Sequence, residues 1–563
     1  MVRRVGLIFA VFLLFVLPPL SSQSQPAQNV SKDVPIPTIR VSTRLVLVDV
    51  VVTDKHGQAV PGLQAADFTV AEKGKPQRIA VFTAPGQSAR PTPPALPAGV
   101  YSNRPEYRSP AGPPTVILLD AVNTPLENQN EARTQMLKFA VENFKAGNEV
   151  AVLMLGNQLG ILQDFTTDPQ TLQNAFQHYG AQKPAHTGDP AEAVSVDVSG
   201  PGVGVAAARV TASMENFQKE ELTNVVDHRV GITLAALRAL SRILGGIPGR
   251  KNVIWLSAGF PFNLLPEQQV NAPVESEFQE RQARINQCET YGCPDPVNGA
   301  ETSMNPGQQK IYGNEIRDVA AQLASAQIAI YPVDVRGLEA ATDSNSYSSQ
   351  QTMRAIADET GGIAFINRND IHVGVDSAMA DHAASYTIGY YPANKNWDGN
   401  YRTISVKLNR EGTELRYRRG YFAVDPTKEG DKRPADQLSE AMQDAVPDTQ
   451  VPFDAGISTL EKGKTRVEFM LDAGAISAED VSKGKRLNAD FQVMVRGANG
   501  KVLATRTVKL DRVLDQATYQ QILQQGLSVH VDVDTPPGNY QLHMAIRDNH
   551  TGYIGTLEAA AGR

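Results

Sequence analysis

The stretch TVILLDAVNTP, Thr115 to Pro125, carries the residues whose types and spacing come nearest to a chemical site. Four apolar residues run into a carboxylate, Asp120, and a hydroxyl follows at Thr124. Both are hard oxygen donors of the kind magnesium and calcium take, whereas Val122, between them, offers none. Ser257 follows an apolar strand and precedes Ala258 and Gly259, a loose likeness to a nucleophile on a strand-to-helix turn. The G-x-S-x-G frame and a placeable histidine are both missing. The nine histidines include no H-E-x-x-H pair, and no G-x-x-x-x-G-K-[ST] loop is present. No enzymatic activity is expected from these residues. Cys288 and Cys293, in CETYGC, are the only cysteines. They make a poor zinc site and lack redox C-x-x-C spacing, but an oxidising compartment would close them into a small disulfide loop.

Strand-helix alternation must position Asp120. VILLD is a continuous apolar run, as a strand covered on both faces should be. Asn128 to Lys145 then places Ala132, Met136, Ala140 and Phe144 on one helical stripe. EVAVLML, GILQDF, a helix from about Asp168, and TLAALRALSRIL stopped by Gly245 and Gly246 come next. NVIWLS, a helix over Ile316 to Leu323, IAIYPVDV, a helix QQTMRAIADETGG, IAFIN and a helix from near Asp370 complete the series. The expectation is an α/β, doubly wound, mostly parallel sheet, which binds ligands at the carboxyl ends of its strands. Asp120 and LSAGF lie on that rim.

The flanks read as β structure. Residues 38–83 are β-branched and alternating but too few to bury a core alone. Residues 84–114 hold nine prolines and read as an extended linker. Strands SYTIGYYP, TISVKLN and LRYRRGYFAV at 385–424 are expected to pair with 38–83 into one sandwich, with residues 115–384 inserted between. Residues 425–449 read as a polar linker with a short helix. Residues 450–560 read as a C-terminal immunoglobulin-like β domain in which Tyr540 is similar to a tyrosine corner.

The N-terminus, MVRRVGLIFAVFLLFVLPPLSSQSQPAQ, has the layout of a secretory signal over residues 1–24. Its apolar run, Val5 to Leu17, is shorter than the roughly 20 residues of a spanning helix. The competing reading is an uncleaved membrane anchor. A secreted or periplasmic protein with no membrane span after cleavage is expected. With 53 basic and 60 acidic residues the formal charge is -7, which disfavours nucleic acid and other polyanions. RYRRGYF accordingly reads as a half-buried strand with solvated arginines rather than a nucleic-acid patch.

The ordered blocks VILLDAVNT, GIT, GRKNVIWLSAGFP, IYPVDVRG and MRAIADETGGIAF resemble the von Willebrand factor A domain, in particular the VWFA-related exported proteins of acidobacteria. The likeness covers 115–384, and the flanking segments look typical of the same group. It implies a non-enzymatic protein-binding, adhesion-type role with an unidentified protein partner. It also implies a metal-ion-dependent adhesion site of pattern D-x-S-x-S, with a distant threonine and a late aspartate. Asp120 matches the acid, Thr124 the second hydroxyl and Thr233 the distant threonine. Val122 and Ala258 depart, so the site is degenerate. Two readings stay open. In one, a divalent cation, magnesium or another, is weakly held by Asp120, Thr124 and Thr233, with Asn123 and Ser257 on the binding rim. In the other, Asp120 accepts hydrogen bonds from its own loop and Thr233 caps its helix. Insertions at 180–224 and 262–312 are partner-binding or mobile surface loops. A structural part in a cell-envelope assembly, and a hydrolase with an unrecognised site, are the rival functions.

Overall fold

The computed structural model describes residues 45–86, 93–108, 114–144, 149–181, 225, 227–260, 313–338, 344–370, 372–425, 434–443, 446–461, 463–482 and 484–561. Residues 1–24, expected as a secretory signal, the cysteine pair Cys288 and Cys293, the 262–312 insertion and all but the first residues of the 180–224 insertion lie outside them.

The chain opens with β1 (Val46–Asp54), β2 (Phe68–Glu72), β3 (Lys75–Gln77), β4 (Ile79–Thr83), β5 (Val100–Ser102) and the single-turn helix α1 (Pro105–Arg108). Then come β6 (Thr115–Asp120), α2 (Leu126–Lys138), β7 (Val150–Leu155), β8 (Leu159–Thr166), α3 (Pro169–His178) and a helix over 227–245, α4. They are followed by β9 (Lys251–Ser257), α5 (Gly313–Ser325), β10 (Ile328–Asp334), α6 (Ser344–Thr360) and α7 (His372–Ala384).

Strands β6 to β10 form one sheet in the order β10-β9-β6-β7-β8. β6 runs parallel to β7 and β9, and β9 to β10, while β8 closes the far edge antiparallel. The apolar run of β6 explains itself here. Val116 and Leu118 face a core built with Leu234, Leu237, Leu240, Val319 and Met353, whereas Ile117 and Leu119 face another built with Met136, Phe139, Phe176 and Val375. With helices on both faces every residue of β6 is buried. IAFIN, expected as a strand, makes only the bridge Val333 to Phe365. Gly361 at φ 79° turns the chain off α6, and Asn367 at φ 54° ends the extended run within a few residues.

β11 (Ser385–Tyr390), β12 (Tyr401–Leu408), β13 (Thr413–Arg416) and β14 (Gly420–Phe422) return to the first strands. The sheets are β13-β1-β11-β4 and β14-β12-β2-β3, enclosing Val48, Val50, Phe68, Tyr386, Ile388 and Val406. β12 alternates buried and exposed residues, as a strand with one wet face must. Inside this core Glu72, 4% exposed, accepts from Tyr390 Oη at 3.0 Å, Tyr421 Oη at 2.9 Å and Arg402 Nη1 at 3.4 Å.

The rest comprises α8 (Pro434–Ala441), β15 (Asp454–Leu460), β16 (Lys464–Leu471), β17 (Ala478–Val481), β18 (Gly484–Gly497), β19 (Val502–Leu514), α9 (Gln516–Gln525), β20 (Leu527–Asp534), β21 (Tyr540–Asp548) and β22 (Ile554–Ala561). One sheet is β20-β16-β15-β5; the other is β17-β18-β21-β22, with β19 also on β18. The proline-rich stretch is thus more than a spacer, since it contributes β5 to the C-terminal sheet. Tyr540 differs from a tyrosine corner too. Its hydroxyl meets the side chain of Thr465 on β16 at 2.7 Å, where the corner would bond backbone a few residues upstream.

Residues 448–451 grip the end of α4. Thr449 N donates to Arg242 O and Thr449 Oγ1 to Ile243 O, Gly246 N donates to Thr449 Oγ1, and Arg242 pairs with Asp448 at 3.1 Å. Gly246 does more than stop the helix: a Cβ there would sit 1.8 Å from Thr449 O. Asn103, just past β5, bonds the same segment through Asp448 O and Val451 O.

Candidate functional site

The strand order makes β6 the place where the winding reverses, because the chain moves to β7 on one side and later returns to β9 on the other. Loops leaving neighbouring strands at such a point diverge and leave a crevice at the carboxyl edge. Asp120 ends β6 and Ser257 ends β9, so both stand at the carboxyl edge on either side of that reversal.

The Asp120 carboxylate is 2% exposed and fully engaged. Oδ1 accepts from Val122 N at 3.0 Å and Asn123 N at 2.9 Å. Oδ2 accepts from Asn123 Nδ2 at 3.0 Å, Trp255 Nε1 at 3.0 Å and Ser257 Oγ at 2.9 Å. Ser257 has one proton for two acceptors, Asp120 and Gly259 O at 2.7 Å. Burial pushes the Asp120 carboxyl above the usual aspartate range, and the donors, Asn123 foremost, pull it back.

The other residues singled out in the sequence gather around this carboxylate. Thr124 Oγ1 accepts from Ala258 N at 3.2 Å, which ties the β6 loop to the β9 loop. Asn123 Nδ2 also donates to Thr233 Oγ1 at 3.1 Å, and Thr233 donates to Arg229 O at 2.8 Å. Thr233 therefore bonds back along its own helix rather than capping it, because α4 begins more than a turn earlier. Asn123 Oδ1 accepts from Arg229 Nε at 3.1 Å. On the same edge, Asp334 at the end of β10 is held by Arg336 Nε at 2.9 Å and Nη2 at 2.8 Å.

These groups do not fit a hard cation. A carboxylate offers about four lone-pair directions, and five donors already point at Asp120. Trp255 Nε1 and Asn123 Nδ2 present hydrogens where ligands would have to present oxygen, and Val122 and Ala258 bring none. Asp120, Asn123, Thr124, Thr233 and Ser257 are all at most 4% exposed. A metal bridging to a partner needs an open face, and this set has none. Among the described residues no group of three or more His, Cys, Asp or Glu is placed to hold a metal.

Two members of this cluster escape a reading of the sequence. Trp255 hides within the apolar run NVIWLS, where nothing distinguishes its indole N–H from ordinary core. Arg229 left a signal, being four residues before Thr233 and so on the same helical face.

No family model matches the chain, and no curated protein matches it. Among solved structures, an aerotolerance-related membrane protein from Bacteroides fragilis aligns at 11% identity over 48% of this chain and 98% of that one, with a TM-score of 0.24. BatB from Bacteroides thetaiotaomicron aligns at 10% identity over 48% of this chain and 99% of its own, with a TM-score of 0.22. The pilus adhesin SpaC from Lactobacillus rhamnosus GG, in its open conformation, gives 9% identity, 91% of this chain, 58% of that chain and a TM-score of 0.27. Likenesses this low carry no argument.

Proposed function

We propose that the chain is an exported, non-enzymatic protein-binding component whose middle is a VWFA-like domain with a degenerate adhesion site. The observation that carries this reading is the position of the Asp120 loop and Ser257 at the ends of the two strands between which the sheet reverses. Two large apolar side chains stand open on the same edge, Leu126 just after the Asp120 loop at 40% exposed and Leu338 after β10 at 68%. Apolar groups exposed beside convergent loops suit a protein surface better than a small substrate. Among the described residues no helix is long and apolar enough to cross a membrane. The test pairs cell fractionation with capture from the native envelope extract, using the wild-type chain and a Leu126→Asp, Leu338→Asp variant. A defined protein held by the wild type, lost by the variant and rebound after purification is the expected result. Recovery of the chain in the cytoplasm, or equal capture by both, would sink the reading.

A second reading, a self-associating part of an envelope assembly, is favoured by β19. Strand β19 pairs with β18 alone among the described strands and exposes Val502, Leu503 and Val513 at 46%, 46% and 52%. Sedimentation of the purified chain across a concentration series decides it, since a monomer at every concentration excludes assembly through this edge.

A further inference from the structure

A carboxylate closed off from water needs positive charge or strong donors close by. Val122 and Ala258 offer no side-chain oxygen to a metal shell, yet Asp120 is buried at 2% exposed. Arg229 stands where charge would be wanted. It lies one turn before Thr233 on α4, so both side chains leave the helix toward the β6 loop. Asn123 joins them: its amide oxygen accepts from Arg229 Nε at 3.1 Å while its nitrogen donates to Asp120 Oδ2 at 3.0 Å and to Thr233 Oγ1 at 3.1 Å. One amide therefore separates guanidinium from carboxylate. We propose that Arg229 is the resident cation of the Asp120 loop, supplying from the chain itself the charge that a divalent ion would supply, so that the loop assembles without metal. An arginine guanidinium is charged throughout the physiological range, even where burial lowers its pKa as it does here, and so the compensation needs no added ion. Asp120 acts on Arg229 in return, its charge opposing the lowering that burial imposes. This concerns how the rim is held together and stands whichever partner the rim meets.

The test uses the purified full chain and needs no partner. Thermal unfolding is followed with a chelator and then with magnesium, manganese or calcium at millimolar concentration. A metal whose Kd lies a hundredfold below the supplied concentration would raise the midpoint of the central α/β unit by a few degrees, about 5 °C if that unit unfolds on its own and about 2 °C if the whole chain unfolds together. The expected shift is none. A rise of that size with any of the three, reversed by chelator, would overturn the proposal. Arg229→Lys and Arg229→Gln then separate charge from hydrogen bonding, because lysine keeps the cation and glutamine keeps an N–H donor. The expected order is a midpoint close to wild type for Arg229→Lys and a clear fall for Arg229→Gln. Equal midpoints for the two variants, or the reverse order, would overturn it as well, and the metal series on the wild type remains decisive if a variant does not fold.

Discussion

Removing the Asp120 carboxylate strands the buried N–H groups of Val122, Asn123 and Trp255, while Ser257 and the Asn123 amide keep Gly259 O and Thr233 Oγ1. An amide at position 120 keeps an acceptor in place and turns one oxygen into a donor. Asp120→Ala should therefore cost about 3 kcal/mol or more, and Asp120→Asn less, in denaturant unfolding. Equal small losses would show that the loop relaxes around the missing group. The same reasoning disqualifies Asp120→Ala as a binding assay, since lost affinity would report a disordered loop. Part of this cluster was legible from residue types: Asp120, Thr124 and Ser257 stand out as polar groups after apolar strands, Thr233 was named only through the resemblance to the A domain, and with Asn123 they do converge. Of the two open readings, the one in which Asp120 accepts from its own loop is seen at Val122 N and Asn123 N, while its partners from other elements were not legible. Whether an oxygen faces a cation or an N–H depends on neighbours such as Trp255, which composition and spacing treat as one more apolar residue.

Helix α7 carries a pH dependence into the central sheet. His382 Nε2 lies 3.1 Å from Thr115 Oγ1 and 3.3 Å from Asn252 Nδ2. Burial first, and the Arg250 charge second, push the ring from its ordinary 6.5 down to about 4. The folded protein thus prefers the neutral ring. The associated stability is complete above pH 6.5 and is lost as the pH falls toward 4, because the unfolded chain takes up the proton first. The loss amounts to at most about 3 kcal/mol. Unfolding free energy measured from pH 7 to pH 4 should fall for the wild type and fall less for His382→Gln; parallel curves would assign the slope to other groups. At this scale periodicity served well for β6, an apolar run covered on both faces, and for α4, whose leucines share the buried face while His228, Gly231 and Ala235 are exposed. It failed for IAFIN, whose composition is that of a strand. Gly361 and Asn367 allow it only one bridge, and backbone sign is not encoded in hydrophobic pattern.

The whole molecule is held by contacts between segments remote in sequence. Strands β1 and β2 bury their apolar faces only by pairing with β11, β13 and β12, and Glu72 ties that core through Tyr390, Tyr421 and Arg402. Glu72→Ala leaves a buried guanidinium without its carboxylate and should cost about 3–5 kcal/mol, read as a lowered unfolding midpoint. An unchanged midpoint would mean that Asn394 O and Asn396 O, which Arg402 also bonds, suffice. Gly246→Ala tests the other junction. A methyl placed 1.8 Å from Thr449 O must push backbone aside, for about 2 kcal/mol or more, whereas the same change at Gly231, inside α4 with open space around it, should stabilise by up to about 1 kcal/mol through helix propensity. Low mass in residues 38–83 was a usable clue to pairing across the chain, but β5 was masked by prolines on either side. Helix α4 is a rod grasped at one end by residues 448–451 and bearing Arg229 and Thr233 near the other. Tension drawn through the C-terminal strands would load the Thr449 and Asp448 bonds at the near end of that rod first, in parallel with β5, which the chain itself leads on toward β6.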